Sequence, residues 1–174
     1  MAHLDHRLRP ASAGDAEFVR DLARRRGLPC TVEAAAVAAV AAERSVSVET
    51  AARDVRYEFL ARAAAEAGAS AVAVGHHADD SVETILDRIV RGTHLRGLRG
   101  IAARRALPGA PGVWLIRPLL GVRRDQLEQF CLGAGLDWRT DPTNADTAYR
   151  RNFIRHELLP LLRDRVNPKV DDAL

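Results

Sequence analysis

A chain of 174 residues, 47% of them hydrophobic and with a net charge of +3, is long and apolar enough for one globular domain with a core. No apolar run reaches the roughly 18 residues of a membrane span and no signal sequence follows Met1, so we expect a soluble, cytoplasmic protein that needs no membrane. Cys30 and Cys131 form no CxxC pair, which argues against a zinc site, an iron–sulfur cluster or a redox dithiol.

The second half of the chain carries the positive charge. Residues 1–82 hold 10 Arg and 12 acidic residues, a net charge of −2. Residues 83–174 hold 15 Arg and one Lys against 11 acidic residues, a net charge of +5. Guanidinium groups match phosphate oxygens, so the excess indicates phosphate or nucleic-acid recognition. A base-composition bias toward arginine explains the same excess, and charge alone leaves both interpretations open.

Three elements are predicted before residue 68. A helix begins at Ser12, its N-cap, and ends at Gly27. A strand follows over 30–37. A second helix runs over 47–67, and one face of it is apolar at Ala51, Val55, Phe59 and Ala63.

The middle of the chain predicts a strand followed by a helix. Residues 70–75 form an apolar run of the length expected for a buried parallel strand. A helix then begins near Asp79. Its core-facing residues recur at helical spacing: Val82, Ile85, Leu86, Ile89 and Val90.

The remaining residues predict a loop, a strand and two helices. The loop covers 92–112 and contains one short helical turn, a strand lies within 113–120, and a helix covers 123–133. The final helix starts near Tyr149, and Pro160 should kink or interrupt it. Its predicted core residues are Ile154, Leu158, Leu161 and Leu162. Strands that alternate with helices predict an α/β fold with a parallel sheet.

Histidines and acids gather where the strand at 70–75 meets its helix. The first interpretation is a helix cap, with Asp80 as N-cap and Glu83 at N3. The second is a metal site made by His76, His77, Asp79 and Asp80, but the spacing does not support it. The third is a site for a cationic or nucleotide-bearing substrate, since ligands bind at the carboxyl ends of the strands in open α/β sheets.

Arginines gather at the start of the final helix. Arg150, Arg151 and Arg155 lie off its apolar stripe. Cations at a helix N-terminus oppose the helix dipole, so we expect these side chains to serve a partner such as nucleic-acid phosphates.

Five segments in order resemble one family. They are HLDHRLR, SVETAARDVRY, GHHADDSVETILDRIVRG, IRPLL and DPTNADTAYRRNFIRHELLP. Together they resemble the motifs of the catalytic domain of tRNA(Ile)-lysidine synthases, in the PP-loop, or N-type ATP pyrophosphatase, superfamily. The resemblance implies a Rossmann-like parallel sheet of the adenine nucleotide alpha hydrolase type, flanked by helices.

The resemblance also implies an activity. ATP, with Mg²⁺, would adenylate the wobble cytidine of a tRNA(Ile) with a CAU anticodon, and the amine of free L-lysine would then displace AMP. Asp80 and Glu83 would hold the lysine ammonium, and Arg56 would neutralise charge at the adenylate. The nucleoside pocket would be lined by Leu4, Asp5, His6, Gly75 and His76. The tRNA would be held by Arg91, Arg150, Arg151, Asn152 and Arg155. No protein-held metal is implied.

The sequence departs from the family at its phosphate-binding loop. Residues 1–174 contain no SGGxDS segment, which in the family precedes the HLDHRLR position. We therefore expect a truncated catalytic domain that lacks the first strand and is inactive alone. Its domain would cover 1–140, and a helical segment over 141–174 would lead toward tRNA-binding domains. The alternatives are a non-catalytic RNA-binding module and another PP-loop ATP pyrophosphatase.

Overall fold

The computed structural model describes residues 1–95 and 97–174 and divides them into two compact units. The first unit contains Met1–Val72 and Arg105–Leu115, and the second contains Ala73–Arg104 and Ile116–Leu174. The predicted segment 141–174 lies wholly in the second unit, and the predicted boundary at residue 140 stays a prediction. No helix among the described residues is long and apolar enough to cross a membrane.

The first unit is built from a strand–helix–strand arrangement. Its elements are β1 (Ala2–Asp5), α1 (Ser12–Arg25), β2 (Thr31–Ala34), α2 (Val37–Glu43) and α3 (Val48–Glu66). Strands β1 and β2 pair in parallel, with Ala2 opposite Thr31 and Asp5 opposite Ala34. The α/β class with parallel pairing is therefore confirmed.

The second unit contains most of the remaining helices. They are α4 (Ala78–Val90), α5 (Arg124–Gly133), α6 (Arg150–Phe153), a π-helical turn (Ile154–Leu158), α7 (Leu159–Arg165) and α8 (Val170–Ala173). Short 3₁₀ turns lie at Gly97–Arg99, within the predicted loop, and at Pro142–Ala145. Arg96, also in the predicted loop, lies outside the described residues.

Three short strands form a second sheet in the order β3 (Ala71–Ala73), β5 (Trp114–Ile116) and β4 (Arg104–Ala106). Backbone hydrogen bonds from Trp114 to Ser70 and from Val74 to Ile116 make β3 and β5 parallel. Bonds from Leu107 to Val113 and from Arg117 to Ala103 make β4 and β5 antiparallel. Strand β4 lies inside the segment predicted as a loop. Two of its three residues are arginines, so it lacks the apolar pattern that predicts a strand.

Two other boundaries differ from the prediction. The strand predicted over 30–37 ends at Ala34, and α2 begins at Val37, because the alanine-rich segment has high helix propensity and Val37 packs in the core with Ala41 and Ala51. Helix α1 has Ala11 rather than Ser12 as its N-cap.

The core of the second unit differs in part from the apolar helix faces that the sequence predicts. Val82 and Leu86 of α4 pack with Ile154 and Leu159, whereas the predicted Ile89 and Val90 are exposed. Leu158 and Leu162 pack against this cluster as predicted, and the partly buried Val170 and Leu174 also pack against it.

The π-helical turn explains why Leu159 replaces Leu161 in the core. A π-helical turn holds one residue more than an α-helical turn, so every later side chain is rotated by one position. Leu159 is 2% exposed, whereas Leu161 is 56% exposed. The turn ends at Leu158, two residues before Pro160, which cannot donate a backbone hydrogen bond. The predicted interruption therefore occurs upstream of the proline.

Candidate functional site

The predicted nucleoside-site residues of the first unit lie at the end of β1. Leu4 and Asp5 are buried. The Asp5 carboxylate accepts a hydrogen bond of 2.8 Å from the Arg7 backbone N–H. Burial alone would raise the pKa of Asp5, but this bond, a bond from Ser12 and the Arg7 charge lower it below its usual value. Asp5 is therefore a charged carboxylate at neutral pH.

His6 contacts Arg56, a pairing that the sequence did not indicate. Arg56 Nη2 lies 3.3 Å from His6 Nε2. A guanidinium cannot accept a hydrogen bond, so Nε2 must be the acceptor and the ring proton must sit on Nδ1. Burial first, and then the charges of Arg56 and His3, lower the pKa of His6. At neutral pH His6 is therefore an uncharged imidazole whose tautomer Arg56 selects.

The lowered pKa of His6 predicts that the folded chain loses stability in acid. The pKa values of His6 and His3 are lowered by burial from 6.5, so below pH 6.5 the unfolded chain binds more protons than the folded chain. The free energy of unfolding should fall as pH falls from 6.5 toward the folded-state pKa values. We expect His6→Gln to reduce this loss when urea unfolding is measured at several pH values between about 7.5 and 5. His94→Gln, at an exposed position, is the control. If the free energy of unfolding of His6→Gln depends on pH as that of the wild type does, His6 does not have a lowered pKa in the folded chain.

Helix α4 begins with a cap that differs from the predicted one. His77 is the N-cap, and Asp80 is the N3 residue. The Asp80 carboxylate accepts a 2.9 Å hydrogen bond from the His77 backbone N–H. The prediction of Asp80 as N-cap with Glu83 at N3 was wrong, because the helix starts two residues earlier than Asp80 and Glu83 falls in the second turn. The Asp80 side chain nevertheless takes part in the cap, as the N3 residue of a capping box.

The Asp79 carboxylate makes different contacts from the Asp80 carboxylate. Its carboxylate accepts a 2.9 Å hydrogen bond from the backbone N–H of Arg124, at the start of α5, and lies 3.8 Å from Arg123 Nη1. No group of three or more His, Cys, Asp and Glu side chains that could hold a metal ion occurs in 1–95 and 97–174. The contacts of His77, Asp79 and Asp80 are those of a helix cap and of ion pairs.

Asp80 and Glu83 meet two of the predicted tRNA-binding arginines. Glu83 Oε2 accepts from Arg151 Nε at 2.7 Å, and Glu83 Oε1 accepts from Arg155 Nε at 2.6 Å. A second bond of 3.1 Å joins Arg155 Nη2 to Glu83 Oε2. Arg151 Nη2 also bonds to Asp80. We call these four residues the carboxylate–guanidinium cluster.

The two arginines of the cluster differ in exposure. The side chain of Glu83 is 2% exposed and that of Asp80 is 10% exposed, so both carboxylates are buried. Arg155 is 19% exposed, whereas Arg151 is 53% exposed. The cluster thus has a buried side, at Arg155, and a side that reaches solvent, at Arg151.

The other predicted tRNA-binding residues make separate contacts. Arg150 and Arg91 both pair with Asp87 at 2.5 Å, one helical turn after Glu83. Asn152 is buried and donates to the carbonyl oxygens of Thr143 and Asp146 at 2.8 and 2.9 Å. Asn152 therefore holds the preceding loop.

Gly75 and His76 lie between β3 and α4. A Cβ added at Gly75 would meet nothing within 4 Å, so the described fold does not require glycine there. His76 is half-buried. The predicted nucleoside role of these two residues stays a prediction.

Comparison with known proteins identifies the family. Residues 1–162 match the PP-loop domain family. Curated tRNA(Ile)-lysidine synthases from Dehalococcoides mccartyi, Deinococcus deserti and Thermotoga maritima are 44%, 45% and 38% identical, over 99–100% of this chain. The chain spans 37%, 31% and 40% of their lengths, respectively.

The fold has a solved counterpart. The U34-tRNA thiolase NcsA from Methanococcus maripaludis superposes with a TM-score of 0.75 over 99% of this chain and 58% of that chain. The identity is 13%, so this likeness concerns the fold alone. The resemblance drawn from the five sequence segments is confirmed by the matches to both the domain and its relatives. The chain belongs to the PP-loop domain family.

Proposed function

We propose that this chain supplies part of the active site of a tRNA(Ile)-lysidine synthase, an ATP-dependent ligase. The relatives at 38–45% identity bear that name, and they match the chain from end to end. The single observation that carries the proposal is the buried pair Asp80 and Glu83, which binds cationic side chains in the folded chain. A buried carboxylate pair that accepts a guanidinium has the charge and donor complementarity to accept an ammonium group.

The proposed reaction has two steps. MgATP transfers its adenylate to the wobble cytidine of tRNA(Ile) with a CAU anticodon, and pyrophosphate leaves. The amine of L-lysine then forms a bond to the cytidine ring while the bond to the adenylate oxygen breaks, so AMP departs and the amine loses a proton. ATP, Mg²⁺, lysine and tRNA are all present in the cytoplasm, where we place the protein.

Each proposed role is the one that the family resemblance implies. Asp80 and Glu83 hold the lysine ammonium, which fixes the nucleophile before it attacks. Arg56 neutralises negative charge on the adenylate, and Leu4, Asp5, His6, Gly75 and His76 contact the nucleoside. Magnesium arrives with the ATP phosphates, so it belongs to the substrate. The tRNA phosphates are bound by Arg91, Arg150 and Arg151. The two other predicted tRNA-binding residues, Asn152 and Arg155, are occupied in the folded chain by the loop carbonyls and by Glu83.

A chimera tests the proposal. Residues 1–174 replace the matching segment of the Dehalococcoides mccartyi relative, and incorporation of radiolabelled lysine into tRNA(Ile) is measured. We expect ATP-dependent incorporation, and a loss of about tenfold or more in kcat/KM for lysine in Glu83→Gln, because a charge-assisted contact is removed. Pyrophosphate release should persist in that variant. The control is Glu128→Gln, which removes an exposed acid of α5.

The outcomes separate the candidate functions. Incorporation that is unchanged by Glu83→Gln, in a protein with wild-type circular dichroism, would refute the lysine site. Salt-dependent tRNA binding without incorporation would favour an RNA-binding module, and lysine-independent pyrophosphate release would favour another PP-loop pyrophosphatase. The 174-residue chain assayed alone should show no turnover, because it spans only 31–40% of the length of these relatives.

A further inference from the structure

The carboxylate–guanidinium cluster leaves no carboxylate oxygen of the acid pair without a hydrogen-bond donor. Both oxygens of Glu83 accept from arginine, Asp80 Oδ1 accepts from Arg151, and Asp80 Oδ2 accepts from the His77 backbone. A carboxylate oxygen can accept more than one hydrogen bond, but two guanidiniums already balance the two negative charges of the pair. A lysine ammonium would add a third cation to this buried cluster, so it competes with the arginines for the pair.

Exposure identifies the donor that can leave. Arg155 is 19% exposed and follows Ile154, a buried core residue, so its release would leave a charge in a largely buried position. Arg151 is 53% exposed and lies in α6, so its guanidinium can reach water by changing side-chain torsions alone. Arg155 keeps Glu83 partly neutralised when Arg151 departs.

We propose that Arg151 is an internal competitor for the lysine ammonium at Asp80 and Glu83, and that nucleic-acid phosphate removes this competitor. The inference rests on the proposed function of the acid pair. In the free chain Arg151 occupies the site and weakens lysine binding. A phosphate that binds the Arg151 guanidinium offers it an alternative partner of the same charge as the carboxylates.

The competition makes lysine binding and RNA binding reinforce each other. RNA that draws Arg151 away raises lysine affinity, and by linkage lysine raises RNA affinity by the same factor. Coupling of this kind is typically about 5- to 150-fold. Arg151 is thus a specificity-determining residue that delays lysine binding until the RNA has arrived.

Lysine titration of the 174-residue chain tests the competition. Dissociation constants for L-lysine are measured by calorimetry with and without an RNA hairpin that carries the tRNA(Ile) anticodon arm. We expect the hairpin to tighten lysine binding by about tenfold in the wild type. Arg151→Gln should bind lysine about tenfold more tightly without RNA and gain nothing from the hairpin. Arg165→Gln, which removes an exposed arginine paired with the adjacent Asp164, is the control and should behave like the wild type.

A spectroscopic measurement supports the titration. The ¹⁵N-edited signals of arginine Nε–H groups report both cluster arginines. Lysine should shift the Arg151 Nε–H signal, which loses Glu83 as acceptor, and leave that of Arg155 near its original position. A shift confined to Arg155 would overturn the assignment of Arg151 as the donor that leaves.

The remaining outcomes distinguish the inference from the function on which it rests. Equal lysine affinity in wild type and Arg151→Gln, with no effect of RNA on either, would overturn the competition and leave the lysine site intact. Weaker lysine binding by Arg151→Gln would show that Arg151 helps to bind lysine, which also overturns it. If neither protein binds lysine under any condition, the proposed function fails together with the inference.

Discussion

Glu83→Gln should lower the free energy of unfolding by about 2–4 kcal/mol, a large fraction of the stability of a small protein. Glutamine fills the same volume but removes the charge that both guanidiniums share, and it places an NH₂ group against N–H donors. Removing one partner of a buried ion pair typically costs about 3–5 kcal/mol, and the solvent that reaches Arg151 reduces that cost. Urea unfolding followed by circular dichroism measures the difference.

Asp87→Asn supplies the matched control for this prediction. Asp87 lies on the same helix, one turn after Glu83, and also pairs with two arginines, Arg91 and Arg150. Both of those side chains are more than half exposed, so we expect a loss below about 1 kcal/mol. Equal losses in the two variants would show that burial does not set the strength of the carboxylate–guanidinium cluster.

Leu159→Ala should destabilise the chain by about 2–4 kcal/mol, whereas Leu161→Ala should cost less than about 0.5 kcal/mol. Leu159 packs in the core with Val82, Leu86 and Ile154, and truncation would leave a cavity there. Leu161 lies two residues later and is exposed. Because both changes remove the same atoms from one helix, their difference isolates burial.

The pair of leucine variants also tests the π-helical turn directly. An uninterrupted α-helix that places Ile154 in the core would turn Leu161 inward and Leu159 outward. A larger loss from Leu161→Ala than from Leu159→Ala would therefore show that the helix is regular through 154–158.

Local patterns in the sequence were sufficient to place the long helices. Helix α3 begins after Ser47, whose hydroxyl accepts a 3.1 Å hydrogen bond from the Thr50 backbone N–H, as expected of an N-cap. The apolar face of α3 is buried at Ala51, Val55 and Phe59. Such features depend on residues within one or two turns, so the sequence places the helices, although the N-caps predicted for α1 and α4 were wrong.

The carboxylate–guanidinium cluster could not be predicted in this way. The sequence suggested separate roles for the acids and the arginines, and 68 residues separate Glu83 from Arg151. Only the packing of α6 and the π-helical turn against α4 brings these residues together, and no local pattern specifies that packing. The π-helical turn was not predicted for a related reason. Pro160 indicates that the helix is interrupted, but not whether the extra residue lies before or after the proline.

The two adjacent aspartates at the start of α4 impose different requirements on the residues that they contact. Asp79 bonds to a backbone N–H at position 124, a group that every amino acid except proline provides. Asp80 bonds to a side chain at position 151, where a planar guanidinium can contact Asp80 and Glu83 at once. Position 124 should therefore accept nearly any substitution, whereas at position 151 even lysine would be a poor replacement for arginine.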